Sequence, residues 1–273
     1  MSALELDTRE RYDSGLVVGR RGAVAVVLFD RPEKGNAFTT ATKADLTRLW
    51  PALDADPDVR VIVIGSTSER FFCTGRDVTE VATQEGSWAT DAAWGRAETL
   101  TARHARIWTP TICAVEGKAV GAGLHFVVDA DIVVAGEGAT FLDTHVNVGA
   151  VGAIENMGLA LKAGLGNALY LTLLGRSASF TAERAYALGL VQEVVPAGTA
   201  LARAMTLAET IAANSPSAVR RSLEAVWSLA YMGGYDQAIA YGWMLVRRQW
   251  DHPDAVEGPR AFTERRPPRW MPR

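Results

Sequence analysis

Between residues 23 and 29 the chain reads Ala-Val-Ala-Val-Val-Leu-Phe without a polar residue. A strand of that composition has no polar side to turn toward water, so both faces must be covered. Val59 to Ile64 reads as a second buried strand and Ile112 to Val115 as a third. Val17-Val18-Gly19 precedes the first run. Ile132 to Ala135, Ala139 to Leu142 and Leu190 to Val195 add shorter strands. Helical stretches are expected at 40–53, from 123 to 129, and at 153–162, 166–174, 182–188, 199–213, 217–230 and 235–250. Thr181 is placed as an N-cap and Gly189 just past a helix end. Pro51 is the awkward residue of the first helix, because proline removes a helical hydrogen bond. The order is strand-rich α/β to about residue 195, then an α-helical tail. This predicts two regions, 1–200 and 201–273. Residues 84–107 are polar, carry Trp88 and Trp94, and lie next to Trp108. They are expected to be the least rigid part, a lid.

Composition narrows the function classes. The 273 residues suit one sizeable domain, with 48% apolar and 22% charged residues close to globular averages. Lys+Arg 28 against Asp+Glu 31 gives a net charge of −3. No basic run precedes the extreme C-terminus, so nucleic acid is not an expected partner. No apolar run reaches the roughly 18 residues of a membrane helix. Met1 to Asp7 has no basic segment followed by an apolar one, so no secretory leader is expected. The two cysteines, Cys73 and Cys113, make no disulfide framework, which fits a reducing, cytoplasmic setting.

Three segments are candidates for chemistry. Gly117-Lys118-Ala119-Val120-Gly121-Ala122-Gly123 leads into a helix whose first N–H groups lack acceptors and carry partial positive charge. Thr74-Gly75-Arg76-Asp77 is a second turn that presents N–H groups. Two convergent N–H donors make an oxyanion hole. Of the four histidines, His125 lies on the first helical turn after the glycines and leans back over the same opening. His145 follows a strand. An imidazole titrates near 6.5 and exchanges protons at working pH. Glu155, ten residues after His145, is placed to orient an imidazole or to act itself. His104 and His252 sit in unrelated contexts, and no ligand spacing resembles a zinc site, so no metal is expected. The chain has no Gly-x-Ser-x-Gly elbow, Rossmann fingerprint or Walker loop.

Four ordered segments carry a family resemblance: Phe29-Asp30-Arg31-Pro32 through Asn36-Ala37; Phe72-Cys73-Thr74-Gly75-Arg76-Asp77; Val115-Glu116-Gly117 through Asp129-Ala130-Asp131-Ile132; and the tail from Asp254 to Trp270. In this set the chain resembles the crotonase (enoyl-CoA hydratase/isomerase) superfamily. The resemblance implies a spiral of ββα turns with a C-terminal helical region that builds a homotrimer or a dimer of trimers. It implies an acyl-CoA substrate, coenzyme A being part of the substrate rather than a resident cofactor. The oxyanion hole would map onto the N–H groups of Thr74 and Ala122. CoA contacts would come from Arg31, Lys34 and Asn36 and from the loop holding Cys73, Gly75 and Asp77. Hydratases of this family use two glutamates where this chain holds His125 and His145. The implied activity is that of a lyase of the enoyl-CoA hydratase type, with isomerisation also open. A CoA-independent retro-Claisen hydrolase of a cyclic β-diketone and a non-catalytic binding protein are the alternatives.

Overall fold

In the computed structural model, residues 5–83 and 99–272 are described. The chain runs β1 (Thr8–Tyr12), β2 (Leu16–Arg21), β3 (Val24–Phe29), α1 (Thr40–Ala55), β4 (Val61–Ser66), β5 (Phe71–Cys73) and α2 (Val78–Thr83). It continues through β6 (Thr111–Val115), β7 (Lys118–Val120), α3 (Leu124–Val128), β8 (Ile132–Gly136) and β9 (Thr140–Leu142). Then come α4 (Ile154–Ala163), α5 (Leu165–Leu174), β10 (Phe180–Thr181), α6 (Ala182–Ala187) and β11 (Glu193–Val195). The tail is α7 (Ala200–Ala212), α8 (Pro216–Tyr231), α9 (Tyr235–Trp250) and α10 (Asp254–Thr263).

Two sheets organise the core. The larger has the order β1-β2-β3-β4-β6-β8-β11, and the smaller β10-β9-β7-β5. Successive strand pairs β4/β5, β6/β7 and β8/β9 each place their first strand in the large sheet and their second in the small one. This is the expected spiral. From β3 to β11 the large sheet is parallel. Every residue of β3, β4 and β6 is buried, as their almost wholly apolar composition requires. One apolar cluster fills the space between the sheets and the helices. A second lies under α7, where Ala200, Ala204, Met205 and Ala208 meet Val26, Val63 and Ala114. The expected regional boundary after residue 200 therefore falls at the start of a helix that covers the sheet.

Several local expectations are corrected. Phe71–Cys73, whose Cys73 is expected in a loop with Gly75 and Asp77, is a strand that pairs in parallel with β7 across a register shift. The small sheet is assembled from strands of two or three residues, too short for periodicity to register. Pro51 stays inside α1. Thr39 caps that helix by accepting from the Thr42 N–H, and Trp50 is fully buried with its indole N–H on the Leu100 carbonyl. Thr181 caps α6 as expected, accepting from the Arg184 N–H. Of the expected lid, residues 84–98, including Trp88 and Trp94, lie outside the described residues. Residues 99–107 are part of the core: Leu100, Ala102 and Ile107 are buried. The guanidinium of Arg103 lies over the rings of both Trp108 and Trp227.

Candidate active site

The site grows from the edge of the small sheet. Strands β5, β7 and β9 are parallel neighbours. Their carboxyl ends therefore lie side by side, the usual place for a ligand in a parallel sheet. The loop Thr74–Asp77 leaves β5, the turn Gly121–Gly123 leaves β7, and the segment from Asp143 leaves β9. Each sequence candidate for chemistry belongs to one of these three exits or to the adjoining α4.

Gly75 closes the first exit onto the second. Its φ is +90°, and a Cβ there would stand 3.1 Å from both Ala122 N and Val120 O. A side chain would be strained and would wedge the two loops apart. The second close approach is at Gly158 on α4, where a Cβ would come within 2.6 Å of Val128. The missing side chain lets α4 lie against α3. Lys162 of α4 then donates to the carbonyls of Val127 and Ala130 at the end of α3. This docking brings Glu155 between the two histidines.

His145 begins a short 3-10 turn after β9. Its Nδ1 lies 2.6 Å from Asp143 Oδ1, and its backbone N–H donates to the same oxygen at 3.0 Å. The other oxygen of Asp143 accepts from Asn156 Nδ2 at 2.6 Å. Glu155 Oε1 lies 3.1 Å from His145 Nδ1, and Glu155 Oε2 lies 3.2 Å from His125 Nε2. The order is thus Asn156–Asp143–His145–Glu155–His125. Asp143 is fully buried and Glu155 is 4% exposed, so both carboxylates depend on these partners. A Cβ on Gly121 would lie 3.6 Å from His145 Cε1, which places the ring beside the Ala122 turn.

The charges respond to this arrangement. The bond to Asp143 raises the pKa of His145 above the ordinary histidine value; burial opposes it and the Glu155 charge assists. Burial pushes Asp143 upward, but hydrogen bonds from His145 and Asn156 outweigh it and leave its pKa lowered. Burial likewise raises Glu155, and the bond and charge of His125 outweigh it for a net lowering. With Nδ1 held on Asp143, Nε2 is the His145 nitrogen left outside that bond.

Other expected site residues fall elsewhere. The Thr74 N–H donates to the Gly35 carbonyl at 3.2 Å and is committed inside the protein. In the same loop the Asp77 N–H donates to the Phe38 carbonyl. Arg76 forms a parallel bridge with Phe38. Here Phe38 bonds to the peptides on either side of Arg76, so the Arg76 N–H faces away from Phe38. The expected CoA contacts also have internal duties. Asn36 is buried, accepting from the Arg31 N–H and donating to the Phe71 carbonyl. Arg31 donates to the Ala37 carbonyl and pairs with Asp77. Cys73 is fully buried, and burial pushes its thiol up to about 12. Lys34 is exposed.

Sequence reasoning missed Asp143, Asn156 and the neighbours of His104. Asp143 had a signal, standing two residues before His145 at the end of a strand. His104 had none. Its context is not separate after all: its ring packs edge-on against His125 with centroids 5.2 Å apart.

Comparison with known proteins decides the family. The model of the enoyl-CoA hydratase/isomerase family matches residues 19–273. The chain belongs to that family. It is therefore a crotonase-superfamily protein with the expected fold, and an enzyme of the lyase class. A benzylidenesuccinyl-CoA hydratase of Thauera aromatica is 32% identical over 249 residues, 90% of this chain and 94% of that one. A mevalonyl-coenzyme A hydratase of Aspergillus fumigatus is 33% identical over 260 residues, covering 91% and 92%. The crystal structure of an enoyl-CoA hydratase of Mycobacterium tuberculosis superposes with a TM-score of 0.85 at 30% identity, covering 95% of this chain and 99% of that one. No helix among the described residues is long and apolar enough to cross a membrane.

Proposed function

We propose that the chain processes an acyl-CoA thioester through an enolate, as an enoyl-CoA hydratase or isomerase does, with imidazoles as the acid/base groups. The observation that carries the reading is the run Asp143–His145–Glu155–His125 beside the Ala122 turn. The thioester carbonyl lies between two backbone donors. One is the N–H of Ala122, in the first turn after β7, where helical geometry leaves donors without acceptors. The other is the N–H of Arg76, which replaces the expected Thr74 because its amide faces away from Phe38. Charge that develops on the thioester oxygen is stabilised there.

His145 moves the proton. With Nδ1–H directed at Asp143, its Nε2 gives a proton to the α-carbon as the enolate collapses, or removes one in the reverse direction. The raised pKa favours the protonated ring, which suits donation. His125, fixed through Nε2 by Glu155, holds the water or the substrate at the neighbouring carbon. Glu155 is a positioning residue for both rings. Coenzyme A arrives with the substrate, and Lys34 supplies exposed charge for its phosphates.

One observation favours the CoA-independent C–C hydrolase as a second reading. Arg31, Asn36 and Asp77 have structural duties that would keep them in place without CoA. Calorimetry with coenzyme A separates the two. A Kd tighter than about 1 mM (about −4 kcal/mol) supports the acyl-CoA enzyme. Absence of binding, with cleavage of a cyclic β-diketone, supports the other. Turnover of a panel of enoyl-CoA thioesters then tests hydration. Tight CoA binding with no turnover of any of them would remove hydration from the reading.

The active unit in this reading is a homotrimer or a dimer of trimers. Its support is the exposed apolar residues Ile154, Met157, Leu161, Leu165, Leu169 and Leu173, at helical spacing along α4 and α5. Exposed Trp243 and Trp250 on α9 extend the apolar surface into the tail. Two free, buried cysteines support placing it in the reducing cytoplasm.

A further inference from the structure

One nitrogen at the site lacks a partner within the protein. His125 is 9% exposed, and its Nε2 is engaged by Glu155. Its Nδ1 is buried and hydrogen-bonds to nothing among the described residues. Buried polar atoms are nearly always satisfied, so an orphaned one calls for an explanation such as an ion. The residues around it supply one. Asp129 is four positions beyond His125 and therefore on the same face of the helical segment. A donor nitrogen of His104, one of His125 and a carboxylate oxygen of Asp129 all lie within 4.8 Å of one another.

The surroundings hold these donors in place. Asp129 Oδ2 accepts from Thr101 Oγ1 at 2.7 Å and lies 3.2 Å from His104 Nε2. The His104 backbone N–H donates to Thr101 Oγ1 at 3.1 Å, so one hydroxyl ties two donor residues together. With Nδ1 as the ligand atom, Glu155 on Nε2 of His125 would reproduce the carboxylate–histidine–metal arrangement, which orients the ring and makes its other nitrogen more basic.

We propose that His104, His125 and Asp129 form a site for one divalent transition-metal ion. Two imidazoles and one carboxylate match zinc, with a fourth position open to water. Tetrahedral donors at metal–ligand distances of about 2 Å stand about 3.3 Å apart, so the trio must close by at most about 1.5 Å, within reach of side-chain rotation. The Lys162 ammonium, which also acts on Asp129, is directed at the Val127 and Ala130 carbonyls. The site shares His125 with the substrate reading, but none of its geometry depends on an acyl-CoA and its test reads metal binding rather than turnover.

The test uses the full-length, untagged protein stripped with chelator. Zinc binding is measured by calorimetry in competition with a chelator, and cobalt binding by visible absorption. The expected result is one zinc per chain with micromolar or tighter Kd, and a tetrahedral cobalt band. His104→Ala and Asp129→Asn should each weaken zinc binding at least about tenfold while melting as cooperatively as the parent. If one variant fails to fold, the other variant and the parent's cobalt spectrum decide. Sub-stoichiometric zinc, no cobalt band, or affinity unchanged in a folded variant overturns the proposal.

Discussion

Asp143→Asn tests the electrostatic core of the site, because it changes a charge with almost no change in volume. The parent carboxylate is fully buried and receives three hydrogen bonds, from His145 Nδ1, the His145 N–H and Asn156 Nδ2. With an amide, one oxygen still accepts from His145, without charge assistance. The amide nitrogen meets the Asn156 amide donor to donor. Loss of charge assistance costs about 1 kcal/mol, and a buried donor left without acceptor about 1–3 kcal/mol. The sum is about 2–4 kcal/mol. At about 2–4 °C per kcal/mol for a domain of this size, the expected Tm falls by about 10 °C.

The pH dependence gives the sharper refutation. The folded pKa of His145 is raised, so its contribution is complete below the unfolded value near 6.5 and is lost as pH rises through the folded value. The folded pKa of Asp143 is lowered. Its contribution is therefore present above the unfolded value near 3.9 and is lost as pH falls through the folded value. The charged pair stabilises most between about pH 4 and 6.5. The penalty of Asp143→Asn should then be larger at pH 5.5 than at pH 8.5, where the donor–donor conflict remains. Thermal unfolding by circular dichroism at both pH values, at one protein concentration, reads this out. NMR titration of the His145 ring should show its pKa falling in the variant. A penalty that is flat or grows with pH, or an unmoved His145 pKa, refutes the account.

His145→Ala should lower turnover of a thioester substrate by about 10²–10⁴ while coenzyme A still binds by calorimetry. Ala122→Pro removes a backbone donor that side-chain changes cannot reach; kcat should drop by about 10²–10³ in steady-state assays. Lys34→Ala should weaken CoA binding and flatten its salt dependence, whereas Arg31→Ala should instead show as a lower Tm, because Arg31 holds Ala37 and Asp77. Leu165→Glu combined with Leu173→Glu should split the assembly in light scattering, since both side chains are about 70% exposed in the single chain.

The large sheet was legible because burial on both faces imposes composition directly. The Ala23–Phe29 run has no polar residue, and β3 within it is wholly buried. The small sheet was not legible. Strands such as Phe71–Cys73 and Lys118–Val120 are three residues long, and nothing in three residues separates a strand from a turn. The same division runs through the site. His125, His145 and Glu155 were visible because each stands near a signal in its own segment: a glycine turn, a strand end or a ten-residue spacing. What they touch was not visible, since contact depends on how α4 docks on α3. That docking rests on Gly158, whose absent Cβ would meet Val128, and on Lys162, whose ammonium reaches two carbonyls of the other segment. It follows that Gly158→Ala, which touches neither histidine, should act on both. Pushing α4 outward by a few tenths of an ångström lengthens and weakens the Glu155 contacts, which stand at 3.1 and 3.2 Å. Loss of activity in a folded Gly158→Ala variant, with the His145 titration displaced, would assign the coupling of the two imidazoles to helix packing rather than to either ring alone.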